Sequence, residues 1–547
     1  MHPLFVAVNA KYIHTNNAVR LLCANSAYET EFLDFTIKDS QDHIIRTILE
    51  KKPSVIGFST YIWNVELIIS LIKSLKTRSN IPIILGGPEV SYDAAYFLNT
   101  LPVDVIVKGE GEHVIDAVLD YLLHGTSLEN TPNVAWKNEG EIIEHPIDEI
   151  ENLSSIKSPH RYEEDTPHIP RRIQYVESSR GCPFKCSYCL SSLEKKVRFF
   201  PLQDVLDTLT HLLDKDAKTI KFLDRTFNAN KDALSIIDFL IENHKEGTVF
   251  QFEITGEIMD ETIIDHIHAK APKHLFRFEI GIQSTNDITN RLVGRIQNNK
   301  KLFHLIEKIK KADIIDMHLD LIAGLPLETL ERFKKTFNDV YALGSRELQL
   351  GFLKFLRGTK IRNEADLYDY HYKSEAPYEI ESNTSLSKED LSYIATAEEG
   401  LDLFHNKGYF EDALFPILKE HFNDYFTLFH DMMTTYLEHG YNRKGYQLDE
   451  VYRFTHDFLR TKGVDEEALD ALKIAYLKRS KVKPKTYFET IKDKKIKKSL
   501  FERMNHTSRF DISDYYKHAL ITKIQNGYLI ALYKNHQSHI EIIEKTD

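Results

Sequence analysis

The stretch SRGCPFKCSYC, residues 179–189, holds three of the four cysteines in a chain of 547 residues. Cys182, Cys186 and Cys189 are spaced C-x3-C-x2-C, so one short loop can present three thiolates. Thiolates are the protein ligands of iron–sulfur clusters, and three of them can hold three irons of a cubane. The fourth iron then has no ligand from this motif, and catalysis at a metal requires such an open position. Tyr188 places an aromatic ring beside the last ligand, where it can shield the cluster from water.

A structural zinc site is the alternative interpretation of these cysteines. Zinc ribbons and fingers usually supply their ligands as two pairs. The remaining cysteine, Cys23, lies in a predicted helix of a different region, and no suitably spaced histidine pair is apparent. We therefore favour the iron–sulfur interpretation.

The composition is that of a globular protein with several domains, at ~150 residues for each domain. The chain is 42% hydrophobic and 28% charged, without a bias towards disorder. No apolar run reaches the ~18 residues of a membrane span, and the first residues lack the pattern of a secretory signal. The few cysteines fit a reducing cytosol, so we expect a cytoplasmic location. The net charge of −12 argues against nucleic-acid binding by the whole surface.

Residues 1–125 alternate between strand and helix patterns, which predicts a doubly wound parallel sheet. The predicted strands are Leu4–Asn9, Glu31–Phe35, Ser54–Ser59, Ile81–Leu85 and Val103–Val107, and the predicted helices are Ala18–Ser26, Asp42–Glu50, Val65–Leu75 and Val114–Leu123. Ligands of such sheets bind beyond the carboxyl ends of the strands. The candidate binding residues in those loops are Tyr61, Asn64, Gly86, Gly87, Gly109 and Glu110.

Residues 126–170 are predicted to connect two domains. Asn133–Lys137 and Glu141–Glu144 have the pattern of a small hairpin. The prolines between Pro146 and Pro170 then exclude a regular element, so we expect a linker with one hairpin.

A second strand and helix series covers residues 171–365. Its predicted strands are Arg172–Glu177, Thr219–Leu223, Val249–Thr255, Leu275–Ile282, Ile315–Ile322 and Leu348–Phe355, and its predicted helices include Leu202–Leu213, Lys231–Asn243, Lys300–Lys311 and Leu330–Leu343. The cysteine loop follows the first of these strands. Active sites of barrels built from such units lie at the carboxyl ends of the strands.

The cysteine spacing, the tyrosine and the six strand–helix units together resemble the radical S-adenosylmethionine (radical SAM) enzymes and their partial barrel. The resemblance implies a 4Fe–4S cluster whose open iron chelates S-adenosylmethionine and cleaves it to a 5′-deoxyadenosyl radical. It also implies further cofactor contacts at the strand ends, namely Asp224, Glu257, Glu279, Gln283, Ser284 and Gly324.

Three acidic residues, Glu253, Glu279 and Asp320, are expected in the barrel interior from strand alternation. Buried acids are rare unless they are paired. The sequence leaves two interpretations of these three side chains: they contact a cofactor, or they form a salt bridge with Arg277 or Lys354.

The loops of residues 1–125, taken in order before the cysteine motif, resemble the cobalamin-binding domain that precedes many radical SAM domains. Domains that ligate cobalt from below carry D-x-H-x-x-G after the first strand, but here Lys11 stands in the place of the histidine. Lysine is protonated near neutral pH and is a poor cobalt ligand. His14 is out of register and is predicted to be a loop or substrate contact. We expect bound cobalamin without a protein histidine on its lower face, or else a degenerate domain without a cofactor.

Residues 366–547 are predicted to form a mainly helical domain that shapes the substrate pocket. The predicted helices are Lys388–His405, Glu411–Thr435, Leu448–Thr461 and Glu466–Tyr476, with a terminal strand at Tyr528–Tyr533. The basic run Lys473–Lys498 is interpreted as a solvated face in preference to a site for RNA, a phosphate-bearing substrate or a reductase.

The predicted fold is therefore an α/β protein with a cobalamin-binding Rossmann-like sheet, a partial (β/α)6 barrel and a helical C-terminal domain. The resemblance implies methyl transfer to an unactivated carbon of a small-molecule or peptide substrate, with electrons from a donor such as flavodoxin or ferredoxin. Radical rearrangement or cyclisation is the alternative within this group. An RNA methylthiotransferase is less favoured because it needs further N-terminal cysteines, and a non-enzymatic cobalamin or redox sensor is a more distant possibility.

Overall fold

The structure is a computed structural model, and it describes residues 2–410, 413–484, 490–504 and 510–544. The chain divides into two compact units. The first unit comprises Met1–Thr329 with Gly351–Lys388, and the second comprises Leu330–Leu350 with Glu389–Asp547. Over the described ranges, no helix combines the length and the apolar character that crossing a membrane requires.

The N-terminal part of the first unit is a seven-stranded sheet in the order β2-β1-β3-β4-β5-β6-β7. Its strands are β1 Pro3–Asn9, β2 Glu31–Thr36, β3 Val55–Ser59, β4 Ile83–Gly86, β5 Val105–Val107, β6 Val134–Asn138 and β7 Glu141–Glu144. Its helices are α1 Asn17–Asn25, α2 Gln41–Glu50, α3 Val65–Lys76, α4 Pro88–Ser91, α5 Ala94–Thr100 and α6 Ile115–His124. Every strand and helix predicted for residues 1–125 is present within two residues of its predicted ends, and α4 and α5 are additional.

Alternating side chains of β1 enter two hydrophobic cores, one on each face of this sheet. Leu4, Val6 and Val8 pack in the core that contains the apolar residues of α2 and α3. Phe5 and Ala7 pack in the core that contains those of α1 and α6. Because all residues of β1 are buried, the strand is central and the sheet is covered by helices on both faces.

The hairpin that the sequence assigned to a linker belongs to the first sheet. Strand β6 pairs antiparallel with β5, and β7 pairs antiparallel with β6. Trp136 lies directly opposite Val105 and is buried in the same core. The predicted hairpin is therefore present, and it extends the first sheet, because the pattern of a hairpin does not reveal which sheet edge it covers.

The second sheet has the order β15-β14-β13-β12-β11-β8. The strands of this part of the chain are β8 Ile173–Val176, β9 Ser179–Arg180, β10 Arg198–Phe199, β11 Thr219–Phe222, β12 Val249–Ile254, β13 Phe276–Gln283, β14 Asp316–Ala323 and β15 Glu347–Phe352. The helices are α7 Leu202–Asp214, α8 Ala233–Asn243, α9 Glu261–Lys270, α10 Asp287–Leu292, α11 Asn299–Ala312, α12 Leu330–Tyr341 and α13 Lys360–Asn363. Strands β8 and β11 to β14 pair in parallel, as predicted for a partial barrel.

Short elements occupy the proline-rich connection and the segment between β15 and residue 382. The connection contains single 3-10 turns at Leu153–Ser155, Glu163–Asp165 and Ile169–Arg171. After α13 the chain forms a small antiparallel pair, β16 His371–Tyr372 and β17 Ile380–Ser382.

The second unit is mainly helical, as predicted, and ends in a three-stranded antiparallel sheet. Besides α12, it contains α14 Lys388–Leu401, a π-helical turn Asp402–Asn406, α15 Leu414–His421, α16 Tyr425–Glu438, α17 Leu448–Thr461, α18 Glu466–Arg479, α19 Lys494–Met504, α20 Ile512–His518, β18 Ala519–Ile524, β19 Gly527–Lys534 and β20 Gln537–Glu544. The predicted terminal strand is the middle strand, β19, of this sheet.

Two predictions for this unit need correction or qualification. The helix predicted over Glu411–Thr435 is two helices, α15 and α16, because residues 422–424 leave the helical conformation and Asp424 caps α16. Residues 411 and 412 lie outside the described residues, as do residues 485–489 of the basic run Lys473–Lys498.

A buried arginine fastens the connection to the first sheet. Arg20 of α1 is 1% exposed, and its Nη2 lies 2.6 Å from both Asp34 Oδ2 and Asp165 Oδ1. Asp165 belongs to the proline-rich connection, whereas Asp34 belongs to β2. The connection is therefore held against the first sheet by a buried ion pair.

We expect Arg20→Met to lower the free energy of unfolding by about 3–5 kcal/mol, because it leaves two carboxylates buried without their cation. Both tryptophans, Trp63 and Trp136, lie in this part of the chain, so their fluorescence during urea unfolding measures the change. Lys51→Met is the control, since Lys51 is 41% exposed in its pair with Glu31, and exposed pairs contribute about 0–1 kcal/mol. Equal unfolding curves for the two variants would contradict the assignment.

Candidate active site

The three cysteines lie on a loop between two short paired strands. Strands β9 and β10 form the antiparallel base of this loop. In its middle, Ser187 donates its N–H to the carbonyl of Val293 at 2.8 Å, and its own carbonyl accepts from the N–H of Ile361 at 3.0 Å. Gly181 has φ +95°, and a Cβ there would lie 2.4 Å from the carbonyl oxygen of Lys196. The loop therefore starts with a turn that only glycine fits, and it is held at both its base and its middle.

The environments of the three thiols differ. Cys186 is buried, whereas Cys182 and Cys189 are partly exposed. Burial raises the pKa of the Cys186 thiol, and the positive charge of Arg295 opposes that change. A nearby guanidinium favours the thiolate, which is the form that binds iron.

The grouping of these side chains bears on the zinc alternative. Within the described residues, no three His, Cys, Asp or Glu side chains are grouped so that they could hold one metal ion. In a cubane each thiolate binds a different iron, so the cysteines need not converge on a single point. The arrangement of the three cysteines is therefore compatible with a cluster.

Sequence reasoning missed Arg295, which follows the turn after α10. Its Nε donates to Gln297 Oε1 at 2.8 Å, another guanidinium N–H donates to the carbonyl of Gly281, and its charge acts on Cys186 and Tyr188. No motif spacing indicated this arginine, because it reaches the cysteines only through the fold.

Asp224, which is a predicted cofactor contact, is buried and bonded to other groups of the protein. It is 1% exposed and accepts hydrogen bonds from Ser178 N–H at 2.9 Å, Ser178 Oγ at 2.5 Å and Ser179 Oγ at 2.6 Å. Burial raises the pKa of Asp224 to about 6, although these hydrogen bonds oppose the change. Both of its oxygens thus hold the strand that leads into the cysteine loop.

Several other predicted contacts at the barrel end also bind protein groups. Glu257 accepts a hydrogen bond from the N–H of Asn298 at the start of α11. Ser284 is fully buried and donates to Glu328 Oε1 at 2.5 Å. The carbonyl of Gly324 accepts from Tyr370 Oη at 3.0 Å. Gln283 has φ +65° at an irregularity in the pairing of β13 with β14.

The barrel interior carries the acidic side chains that strand alternation predicted. Glu279 Oε2 lies 2.6 Å from Lys221 Nζ, Glu253 Oε1 lies 3.7 Å from Arg225 Nη1, and Asp320 Oδ1 lies 3.0 Å from His318 Nε2. These charged groups lie close together because the strand register places Glu253, Glu279 and His318 next to each other on β12, β13 and β14. The interior is thus a polar surface with partly paired charges.

A cavity of about 460 Å³ lies between the strand-end loops of the first sheet and the base of the cysteine loop. Ser179, Arg180 and Gly181 line it before the cysteines, and Leu190 and Ser191 line it after them. An apolar part of its lining comes from the core of the first sheet, through Phe5, Gly57, Ile84, Val107 and Ile115. Cofactor pockets typically have volumes of ~300–1,000 Å³ and combine apolar walls with a few polar groups.

Five of the six candidate residues from the first domain line this cavity, namely Tyr61, Gly86, Gly87, Gly109 and Glu110. At Gly87 a Cβ would lie 2.4 Å from the carbonyl oxygen of Thr60, so only glycine allows the two loops to approach. Asn64 is buried elsewhere and donates to the carbonyls of Val8 at 2.9 Å and Ser59 at 3.0 Å. Asn64 thus links the ends of β1 and β3 and does not line the cavity.

His14 faces the barrel and is not part of the cavity lining. Its Nδ1 lies 2.7 Å from Tyr175 Oη, and its backbone forms a parallel bridge with Ile173 at the start of β8. Burial lowers the pKa of His14, and Lys11 and Lys221 lower it further. The structure therefore agrees with the interpretation of His14 as a loop contact.

Family models cover most of the chain in three segments. The B12 binding domain matches residues 3–119, and the Radical SAM superfamily matches residues 176–340. The chain carries a B12-binding domain followed by a radical SAM domain. A third model, described as a protein of unknown function (DUF4080), matches residues 366–544.

Curated relatives match between half and two thirds of the chain. An uncharacterised methyltransferase of Pyrococcus horikoshii is 26% identical over 331 residues, which are 56% of this chain and 69% of that protein. The cobalamin-dependent radical SAM methyltransferase TokK of Streptomyces tokunonensis is 22% identical over 350 residues. That match covers 60% of this chain but only half of TokK.

Among solved structures, the cobalamin-dependent S-adenosylmethionine radical enzyme OxsB, with aqua-cobalamin and S-adenosylmethionine bound, matches with a TM-score of 0.61. The match covers 87% of this chain and 78% of OxsB, at 14% sequence identity. The two proteins therefore share their fold.

The domains imply three cofactors, and the site fits them. The radical SAM domain implies a 4Fe–4S cluster and S-adenosylmethionine, and the B12-binding domain implies cobalamin. Cys182, Cys186 and Cys189 supply the thiolates, and the cavity offers glycine-lined loops beside an apolar wall. Cys23 lies on α1 in the hydrophobic core of the first sheet, outside the cysteine loop, and is not part of this ligand set.

We expect the protein reconstituted without oxygen to hold one 4Fe–4S cluster. Cys182→Ala, Cys186→Ala and Cys189→Ala should each lose it, because each removes the ligand of one iron, whereas Cys23→Ala should keep it. Iron and sulfide content, with electron paramagnetic resonance (EPR) of the reduced protein, measures the outcome. Stoichiometric zinc without iron in protein purified anaerobically would contradict the assignment.

Proposed function

We propose that this protein is a cobalamin-dependent radical SAM methyltransferase that transfers a methyl group to an unactivated carbon of a small molecule. The observation that carries the proposal is the shared cavity, which is lined on one side by the loops of the B12-binding domain and on the other by the strands flanking the three cysteines. Two cofactors that must react in sequence would be held on facing walls of one space.

When bound, the cofactors supply a radical that abstracts hydrogen and a cobalt centre that carries a methyl group. The chain's own residues bind and orient these groups. Cys182, Cys186 and Cys189 would hold the cluster, Gly86, Gly87 and Gly109 let the loop backbones come close to a corrin, and Tyr61 forms part of the cavity wall. Tyr61 is stacked on Trp63 with ring centroids 4.3 Å apart, an aromatic pair suited to excluding water.

Substrate contacts are proposed for the barrel interior. Lys221, Glu253 and Asp320 offer charged groups there, and the exposed fractions of their side chains are 22%, 30% and 31%. Such groups suit a polar molecule more than an apolar one, because an apolar ligand would bury them without partners. A reduced flavodoxin or ferredoxin would supply the electron.

For an RNA methylthiotransferase, this chain lacks the cysteines that would bind a second cluster. Such an enzyme needs more cysteines before the barrel, and the N-terminal region of this chain has only Cys23. That residue lies in the apolar core between α1 and the first sheet. The position supports a structural role for Cys23.

Reduced protein loaded with cobalamin should convert S-adenosylmethionine to two products in the presence of its substrate. 5′-Deoxyadenosine reports radical formation, and S-adenosylhomocysteine reports departure of the methyl group. Chromatography of anaerobic reactions measures both. Formation of 5′-deoxyadenosine alone would favour rearrangement or cyclisation, and formation of neither would leave a non-enzymatic sensor.

We also expect cobalamin to bind without a histidine from the protein on cobalt. Lys11 occupies the position of the ligating histidine, and His14 is engaged with Tyr175. EPR of the cob(II)alamin form of the wild type and of His14→Ala tests this expectation. A nitrogen superhyperfine pattern that disappears in His14→Ala would contradict it, whereas identical spectra are the expected result.

A further inference from the structure

Buried ion pairs join the base of the cysteine loop to the first sheet. Arg180 of β9 and Arg198 of β10 are direct partners in the small antiparallel sheet. Both contact Glu110, from the loop after β5: Arg180 Nη1 lies 3.0 Å from Oε1, and Arg198 Nη1 lies 2.8 Å from Oε2. One carboxylate thus bridges the two strands that flank the cysteines.

Two further carboxylates surround the same arginine. Arg180 Nη2 lies 2.7 Å from Glu112 Oε1 and 2.9 Å from Glu177 Oε2. Glu112 belongs to the first sheet's loop, whereas Glu177 follows β8 of the barrel. Arg180 therefore joins three segments that the sequence separates.

The groups of this network are largely buried. The side chains of Arg180, Glu110 and Glu112 are 9%, 15% and 7% exposed. Burial alone would raise the pKa of Glu110, but the hydrogen bond from Arg198 and the charge of Arg180 outweigh it and lower the pKa.

From this network we infer that Arg180 is a positioning residue that fixes the cysteine loop relative to the first sheet. The inference rests on the proposed function, since the alignment matters only if both sides of the cavity hold cofactors. All four groups, Glu110, Glu112, Arg180 and Arg198, line the cavity. A movement of the loop would change the distance between cluster and cobalt, and a misplacement of about 1 Å can cost about 10²-fold in rate.

Arginine suits this task better than lysine. Its planar guanidinium carries five N–H donors in a rigid fork, whereas a lysine ammonium is a single flexible point charge. Arg180→Lys keeps the charge but cannot reach Glu110, Glu112 and Glu177 in the same geometry. Glu112→Gln keeps the shape of the side chain that contacts Arg180 and removes its negative charge.

An exposed ion pair on the same loop provides a matched control. Lys196 and Glu151 lie 2.8 Å apart, with side chains 55% and 80% exposed. This pair also connects the cysteine loop to the preceding segment, but exposed pairs contribute little. Lys196→Met should therefore behave as the wild type.

The position of the loop can be measured without cobalamin. A nitroxide attached to Ile37→Cys, after cluster reconstitution, marks the first sheet, since Ile37 follows β2 and is 43% exposed. Pulsed EPR then gives the distance between this label and the reduced cluster. We expect one narrow distribution for the wild type and Lys196→Met, and a distribution broadened or shifted by about 1 Å for Arg180→Lys and Glu112→Gln.

Product ratios provide the functional readout. In the two network variants, release of S-adenosylhomocysteine should fall by about 10–10²-fold, while cluster content, cobalamin affinity and 5′-deoxyadenosine release stay at the wild-type level. The double variant Arg180→Lys/Glu112→Gln should be no worse than Arg180→Lys, because residues that act through one contact are not additive.

Three results would overturn the inference. Unchanged distances would show that the network does not position the loop. Loss of the cluster together with both products would show a purely structural role, and loss of cobalamin affinity at unchanged distance would make Arg180 a cofactor contact. If the wild type forms neither product, the proposed function fails, but the distance measurement still decides whether Arg180 positions the loop.

Discussion

The Glu110 carboxylate connects the two halves of the first unit. It accepts the N–H of Ile150 at 2.6 Å and pairs with Arg180 and Arg198, which lie 70 and 88 residues further along the chain. Two guanidinium groups on neighbouring strands would repel each other at the base of the cysteine loop if this carboxylate were absent. The position of the loop, the wall of the cavity and the approach of the two sheets all depend on that charge balance.

In both halves, the functional groups lie on loops at the carboxyl ends of strands, and these loops line the same cavity. In both parallel sheets the loops after the strands carry the groups that bind ligands. The Gly86–Gly87 and Gly109–Glu112 loops follow β4 and β5, and the cysteine loop follows β8 by way of β9. The predicted cofactor-binding groups are therefore concentrated in these loops, while the strands and helices fix the positions of the loops.

Much of this was predictable from local patterns. Short apolar runs that alternate with helical patterns identified the strands of both sheets, and the spacing of Cys182, Cys186 and Cys189 identified the cluster loop. Local patterns do not reveal contacts that depend on a partner far along the chain. Asp224 and Ser284 have the residue types of cofactor contacts, but their oxygens are bonded to the backbone and to hydroxyl or carboxyl groups of the protein. Arg180 and Arg295 gave no signal, because only the folded chain brings them to Glu110 and Cys186.

A structure of the anaerobically reconstituted protein with cobalamin and S-adenosylmethionine would test the central claim most directly. Anomalous scattering at the iron and cobalt edges identifies both metals. We expect iron at Cys182, Cys186 and Cys189, and cobalt beside the Gly86–Gly87 loop without a protein side chain on its lower face. Cobalt at another site, or a cavity that stays empty of cobalamin at saturating concentration, would contradict it.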